Sequence, residues 1–352
     1  MADISRRKDD HLDLAARGDV GFRRTGTLLS DVVLLHDSLP ELSLDEVDAS
    51  VELFGKRLAA PVVIASMTGG SERARSINET LAGVAEELGL GFGLGSQRAM
   101  HRDPGAAGTF RVRDLAPRAL VLGNLGGVQA AKLSTSEVAA LVAAVGADAL
   151  CVHLNPAQEL VQPEGDRDFR GVLDALGRLA RELPVPVVAK ETGCGLGPSA
   201  GRRLRHVGVE HVDVSGAGGT SWVAVETERA APGERALGEA FREWGIPTAA
   251  SVAWMARLGF STVIATGGVA TGLDVARALA LGATAAGIAR PVLQALEAGG
   301  RDAALAFLAG VVRELRAAML LVGARDVTEL AATPRIVRGE LARWLDAEAG
   351  GP

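Results

Sequence analysis

From about Pro61 onward the chain alternates two patterns: short runs that are apolar throughout, and longer stretches with helical spacing of apolar residues. The runs are Pro61 to Met67, Gly89 to Ser96, Ala119 to Leu125, Ala149 to Leu154, Pro186 to Glu191, His211 to Gly216, Thr262 to Gly268 and Ala285 to Arg290. Unbroken apolar runs predict strands buried on both faces, as in parallel sheets. Helices are predicted over Ile77 to Leu88 and Glu137 to Gly146, the second preceded by the capping box Ser134-x-x-Glu137. About eight strand–helix units fit an α/β fold of the (β/α)8 barrel type, whose usual length is ~250 residues. A doubly wound open sheet is the alternative topology. The chain then reads as a single domain: an N-terminal extension over 1–60, a barrel over 61–300 and C-terminal helices over 301–352. Val223 to Gly245, charged and irregular, falls where a strand-to-helix loop is expected and fits a mobile lid.

Composition narrows the function classes. Of 352 residues 44 are Gly, nearly twice the usual ~7%, without the period of collagen, which points to tight turns and close backbone approach to a ligand. The formal charge of −6 and the lack of a basic tract argue against nucleic acid, and scarce aromatics (eight Phe, four Trp, no Tyr) argue against base stacking. Cys151 and Cys194 lack metal-ligand spacing and fit a reducing, cytoplasmic setting. Neither a signal peptide nor a membrane span is expected, since the most apolar late stretch, Ala303 to Leu321, carries Arg313, Glu314 and Arg316.

Polar and glycine residues cluster where the strands end. Met67-Thr68-Gly69-Gly70, Ser96-Gln97-Arg98, Asn124, His153-Leu154-Asn155, Lys190-Glu191, Ser215 to Thr220, Gly267-Gly268 and Arg290 all take such positions. In a barrel the C-terminal strand ends share one face, which carries the active site. Thr266-Gly267-Gly268-Val269 and Ala289-Arg290 follow the seventh and eighth runs, where barrels commonly bind phosphate. Ser215-Gly-Ala-Gly-Gly-Thr220 suits an anionic or aromatic ligand or a plain tight turn. Lys190 reads as a mouth cation or a surface ion-pair partner, and Glu159 beside a phosphate suits Mg2+, which takes one or two carboxylates plus phosphates and waters. Cys194 lacks a base partner and reads as inert. On charge alone, the run around His11 reads as a solvated terminus.

Taken in order, Arg7-Lys8-x-x-His11, Met67-Thr-Gly-Gly-Ser71, Gly95-Ser-Gln-Arg98, His153-Leu-Asn-x-x-Gln-Glu159, Lys190-Glu191, Asp213-Val-Ser-Gly-x-Gly-Gly-Thr-Ser-Trp222 and Thr266-Gly-Gly268 resemble the type 2 isopentenyl diphosphate isomerase family from about Arg7 to about Pro291. Arg6, where the family often has Asn, and Thr192, where an apolar residue is common, depart from its pattern. The resemblance implies interconversion of isopentenyl and dimethylallyl diphosphates by proton addition and removal, with reduced FMN as the acid–base, NADPH as a priming reductant, and Mg2+. It implies that FMN contacts Ser66, Met67, Thr68, Ser96, Asn124, Lys190, Ser215 and Thr220, with its phosphate at Gly267, Gly268, Val269, Ala289 and Arg290. The diphosphate would meet Arg7, Lys8, His11, Ser96, Gln97 and Arg98. His153, Asn155 and Gln158 would face the reacting carbons, with Gln158 as relay or orienting group, and Glu159 would bind Mg2+. Lys190 would stabilise the anionic reduced flavin. A cytoplasmic homo-oligomer, tetramer or octamer, is implied as well.

Two other classes fit parts of this pattern. A 2-hydroxy-acid oxidase would need a catalytic His and a carboxylate-clamping Arg near the seventh strand, and Thr262 to Thr271 contains neither. A non-enzymatic barrel that senses a phosphorylated ligand would need Gly267, Gly268 and Arg290 but not Lys190, Gln158 and Glu159 together.

Overall fold

The computed structural model describes residues 2–349, and the side chains of all of these except 2–7, 104, 348 and 349. Eight parallel strands close into a barrel: β1 (Val62–Ile64), β2 (Gly91–Gly93), β3 (Leu120–Gly126), β4 (Ala149–Leu154), β5 (Val187–Glu191), β6 (His211–Asp213), β7 (Thr262–Thr266) and β8 (Ala285–Ile288). Each falls on one of the eight apolar runs, β3 continuing one residue beyond its run to Gly126. Ile64, Leu120, Val152, Val188, Val212, Ile264 and Ala286 are buried, as strands enclosed by an outer layer of helices require. The closed ring excludes the doubly wound sheet. Several strands are shorter than their runs because the last residues of each run turn into the loops of the barrel mouth.

Helix α1 (Ala2–Arg17) belongs to the N-terminal extension, and helix α2 (Glu72–Leu88) follows β1. The second of these starts five residues before the apolar periodicity does, since its first turn is polar and is capped by Ser71, which accepts from the Ala74 N–H. The predicted capping box forms, with the Ser134 N–H donating to Glu137 at 2.8 Å. At the opposite end, a hairpin of Val51–Leu53 and Lys56–Leu58 turns at Phe54 (φ 50°) and Gly55 (φ 73°). Its Leu53 and Leu58 pack on Val63, Leu122, Ala149 and Val188 and plug the barrel floor. The extension thus reaches both ends of the barrel.

Val223 to Gly245 is not irregular, contrary to the sequence expectation. It contains most of helix α4 (Trp222–Arg229), a 3-10 turn at Pro232–Glu234 and a further helix at Arg235–Phe241; helix α3 (Pro156–Val161) lies earlier, after β4. The segment's charges pair among themselves: buried Arg242 lies 3.2 Å from Glu228 and 3.3 Å from Glu239. Charge density therefore does not mark a solvated loop here. A long helix, α5 (Arg290–Leu321), follows β8 and breaks at Gly299 and Gly300. Among the described residues no helix is long and apolar enough to cross a membrane.

Candidate active site at the barrel mouth

A cavity of about 500 Å³ opens at the C-terminal ends of the strands. It is lined by Ser66, Met67 and Thr68 after β1, Ser96 and Arg98 after β2, Asn124 of β3, His153 of β4, Asn155, Gln158 and Glu159 of the β4–α3 segment, and Lys190 of β5. Ser215 and Thr220 after β6, Gly267, Gly268 and Val269 after β7, Ala289 and Arg290 after β8, and Lys8 and His11 of α1 complete it. Residues far apart in sequence therefore converge at one opening. The Arg7 side chain lies outside the described residues.

Gln97 does not join them. It is fully buried, its Nε2 donates to the Leu141 carbonyl at 2.8 Å, and its Oε1 accepts from the Asn124 N–H at 3.0 Å. Ser96 and Arg98 reach the cavity while Gln97, between them, ties the β2 loop to its neighbours. Lys190 is not a surface lysine: it is buried, and its Nζ lies 2.8 Å from Asp213 Oδ2. Nor is the N-terminal run solvated where it matters. Lys8 donates to the Gly69 carbonyl, and its Nζ sits 5.4 Å from the centre of the Phe110 ring.

Strand register explains the local chemistry. His153 pairs with Lys190, and Lys190 with Asp213, so three adjacent strands carry polar side chains at one level. Burial, reinforced by the charges of Lys190, Arg98 and Lys8, pushes the His153 imidazole down to about 4. The ring is thus neutral near pH 7, and its Nδ1 lies 2.7 Å from Asn124 Oδ1. That contact assigns the ring proton to Nδ1 and leaves a lone pair on Nε2.

Sequence reasoning missed Glu226, a fully buried carboxylate on α4. His11 Nε2 lies 2.9 Å from Glu226 Oε1, Gln158 Nε2 donates to Oε1 at 3.1 Å, and Arg229 reaches Oε2 at 2.6 Å. Burial pushes this carboxyl up, but the His11 and Gln158 hydrogen bonds and the Arg229 charge outweigh it and hold the group below its usual range. Trp222, one helical turn earlier, stands edge-on to His11 at 5.3 Å. The spacing of Trp222 and Glu226 (i, i+4) is the signal that could have revealed the pair, because such residues share a helix face.

Glu191, next to Lys190, faces away from the cavity. Its Oε2 accepts the N–H groups of Thr192 (2.6 Å), Gly193 (2.8 Å), Cys194 (2.5 Å) and Gly195 (3.2 Å), which gathers the loop after β5 around one oxygen. Burial and the Glu191 charge push the Cys194 thiol up, away from the thiolate form. Across the mouth, Arg290 donates to the Ala15 carbonyl at 2.8 Å and the Gly18 carbonyl at 2.6 Å, so the arginine expected at a phosphate also clasps the end of α1.

The residues present fit a flat, phosphate-bearing cofactor such as FMN. The Thr68 and Thr266 hydroxyls are buried at the cavity without a hydrogen-bond partner of their own. Gly267 (φ 110°) and Gly268 (φ 73°) bring backbone against backbone, since a Cβ on Gly267 would lie 2.2 Å from the Gly216 carbonyl oxygen. For Mg2+ the fit is narrower. Glu159 Oε1 accepts from Asn155 Nδ2 at 3.1 Å and Oε2 from the Asp166 N–H at 2.7 Å. No cluster of three or more His, Cys, Asp or Glu with metal-binding geometry occurs among the described residues, so an Mg2+ ion at Glu159 would need substrate oxygens and waters for the rest of its shell.

Comparison with known proteins gives the class first. Residues 156–338 match the FMN-dependent dehydrogenase family. The chain is 44% identical to the isopentenyl-diphosphate delta-isomerase of Methanosarcina acetivorans, over 97% of this chain and 94% of that one. It is 43% identical to the same enzyme of Thermococcus kodakarensis (97% and 93% covered) and of Halobacterium salinarum (97% and 95%). The chain belongs to the isopentenyl-diphosphate delta-isomerase family, within the FMN-dependent barrels. Among solved structures it is similar to a mandelate oxidase variant with the monooxide FMN adduct, at TM-score 0.66 and 19% identity over 93% of this chain and 95% of that one. That likeness is one of fold.

Proposed function

We propose that this chain interconverts isopentenyl and dimethylallyl diphosphates in isoprenoid biosynthesis, adding a proton at one carbon and removing one from another. The observation that carries the reading is that Lys8, Arg98, His153, Gln158 and Glu159 line the same cavity as Lys190 and the glycine loops. Bound FMN, reduced by NADPH, supplies the acid–base group that an unactivated alkene requires and that side chains lack. Gly267, Gly268, Val269 and Ala289 with Arg290 would hold the phosphate of FMN, and Ser66, Met67, Thr68, Ser96, Asn124, Ser215 and Thr220 would line the place of its ring. Lys190 contributes a fixed positive charge where water is scarce.

Arg7, Lys8, His11, Ser96 and Arg98 hold the diphosphate, Gln97 shaping the loop from behind. Glu159 would bind an Mg2+ ion, which would screen the diphosphate charge. Gln158 is positioned at both ends of its amide: Nε2 donates to Glu226, and Oε1 accepts from Asn155 at 3.2 Å. It orients the reacting chain, because an amide is a poor base. His153, neutral and anchored on Asn124, offers Nε2 to the same end. The two free cysteines support a cytoplasmic location. The family resemblance implies a homo-oligomer, tetramer or octamer.

Purified protein with FMN, NADPH and Mg2+ under anaerobic conditions converts isopentenyl to dimethylallyl diphosphate; silence there overturns the reading. Glu159→Gln lowers Mg2+-dependent turnover and spares flavin binding, and loss of flavin instead would show the metal assignment to be wrong.

A further inference from the structure

We propose that Asp213 is a positioning residue whose two carboxylate oxygens fix the Lys190 ammonium and the strained Ser215 backbone together, setting how strongly the site favours the anionic, reduced form of a bound flavin. The inference rests on the flavin part of the function proposed above. Asp213 does not line the cavity, so it acts through the two residues that do.

One oxygen takes the charge. Lys190 and Asp213 are register partners on β5 and β6, their side chains are only 7% and 6% exposed, and Nζ lies 2.8 Å from Oδ2. Excluded from water, such a pair has a strong mutual field. The carboxylate therefore both aims the ammonium and offsets its charge. The buried Cys151 thiol on β4 feels both groups: burial and Asp213 push it up and Lys190 draws it down.

The other oxygen takes the backbone. Ser215 has φ 35°, one of four non-glycine residues at positive φ among the described residues, a conformation that persists only where neighbours enforce it. Asp213 Oδ1 accepts the Ser215 N–H at 3.2 Å, and the Ser215 carbonyl accepts from the Gly195 N–H at 3.1 Å. Strand end, lysine and serine are thus tied at one carboxylate. A salt bridge serving stability alone would not also need to hold a cavity-lining turn.

The test is a redox titration of the FMN-loaded wild type, Asp213→Asn, Lys190→Met and the double variant. Removing the carboxylate charge leaves the ammonium uncompensated, so Asp213→Asn shifts the flavin midpoint potential upward. In the Lys190→Met background the same change loses most of that shift. No shift, or an equal shift in both backgrounds, overturns the inference. Asp213→Glu keeps the charge and should hold the potential near wild type; a shift like that of Asn overturns the electrostatic half and remains readable if the Asn variant does not fold. For the backbone half, Ser215→Gly restores part of the thermal midpoint lost in Asp213→Asn, since glycine adopts this φ without strain; no recovery overturns it. A wild-type protein that takes up no flavin overturns the cofactor reading and this inference together, whereas a flavin whose potential ignores Asp213 overturns this inference alone.

Discussion

The loops after β6, β7 and β8 and the wall made by α1, α3 and α4 border the same cavity, yet they are built of different material. The loops are backbone. A Cβ on Gly219 would lie 2.4 Å from the Gly268 nitrogen, and one on Gly268 would lie 2.4 Å from Thr27 Cγ2, so neither position has room for a side chain. The wall is side chain. His11, Gln158 and Arg229, from three separate helices, converge on one carboxylate at 2.9, 3.1 and 2.6 Å. A backbone surface is shaped as soon as the barrel closes, while a surface of converging side chains exists only when every contributing segment has docked. The first suits a resident cofactor; the second suits a substrate that comes and goes.

Removing the hub of the wall has the largest expected effect. Glu226→Gln strips a buried charge from Arg229 and His11, a loss of about 3 kcal/mol, or roughly a hundredfold in kcat/KM. Flavin affinity should stay within about twofold, as nothing in the loops changes; parallel steady-state assays and flavin titrations check this, and equal losses in both would erase the contrast. Gly268→Ala is the converse. Its left-handed φ and the Thr27 contact impose about 1–3 kcal/mol of strain, hence a tenfold to hundredfold weaker flavin binding by equilibrium titration.

A smaller effect comes from His153, whose imidazole is held near 4 by burial and neighbouring cations. An unfolded histidine takes up its proton near pH 6.5. Between pH 7 and 5.5 the unfolded chain therefore binds a proton that the native state refuses, and stability falls by about 1 kcal/mol with falling pH. Thermal midpoints across that range should decline less steeply in His153→Gln; parallel lines would contradict the neutral assignment. Smallest of all, Arg17→Ala breaks an exposed pair with Glu297 at 3.3 Å and costs under about 0.5 kcal/mol. A marked loss of activity there would mean that the arm docks through its rim and not through His11.

The same division decides what the chain announces about itself. Parallel strands buried on both faces leave unbroken apolar runs, so all eight barrel strands could be placed, and the glycines that shape the loops stand directly after them. Lys190 stands near the end of such a run, which offers the mouth as its place beside the alternative of a surface ion pair. Its partner could not be placed, because Asp213 meets it only through strand register, which no single run reveals. Glu226 is hidden for another reason: it lies in a stretch whose density of charge suggests a mobile loop, while in the fold those charges pair with one another. Gln97 shows the limit of a motif, since three consecutive residues at a strand end do not all turn the same way.

Lys190 and Glu191 are consecutive, and they face opposite sides of β5. Side chains along a strand alternate with a period of two, so sliding β5 by one residue would exchange them. The carboxylate would then enter an opening lined by Lys8 and Arg98, and the ammonium would be pressed among the four N–H groups that Glu191 now gathers, donor against donor. A misthreaded strand would thus set an ammonium against four donors, so the identity of these two adjacent residues favours one register of β5 over its neighbour.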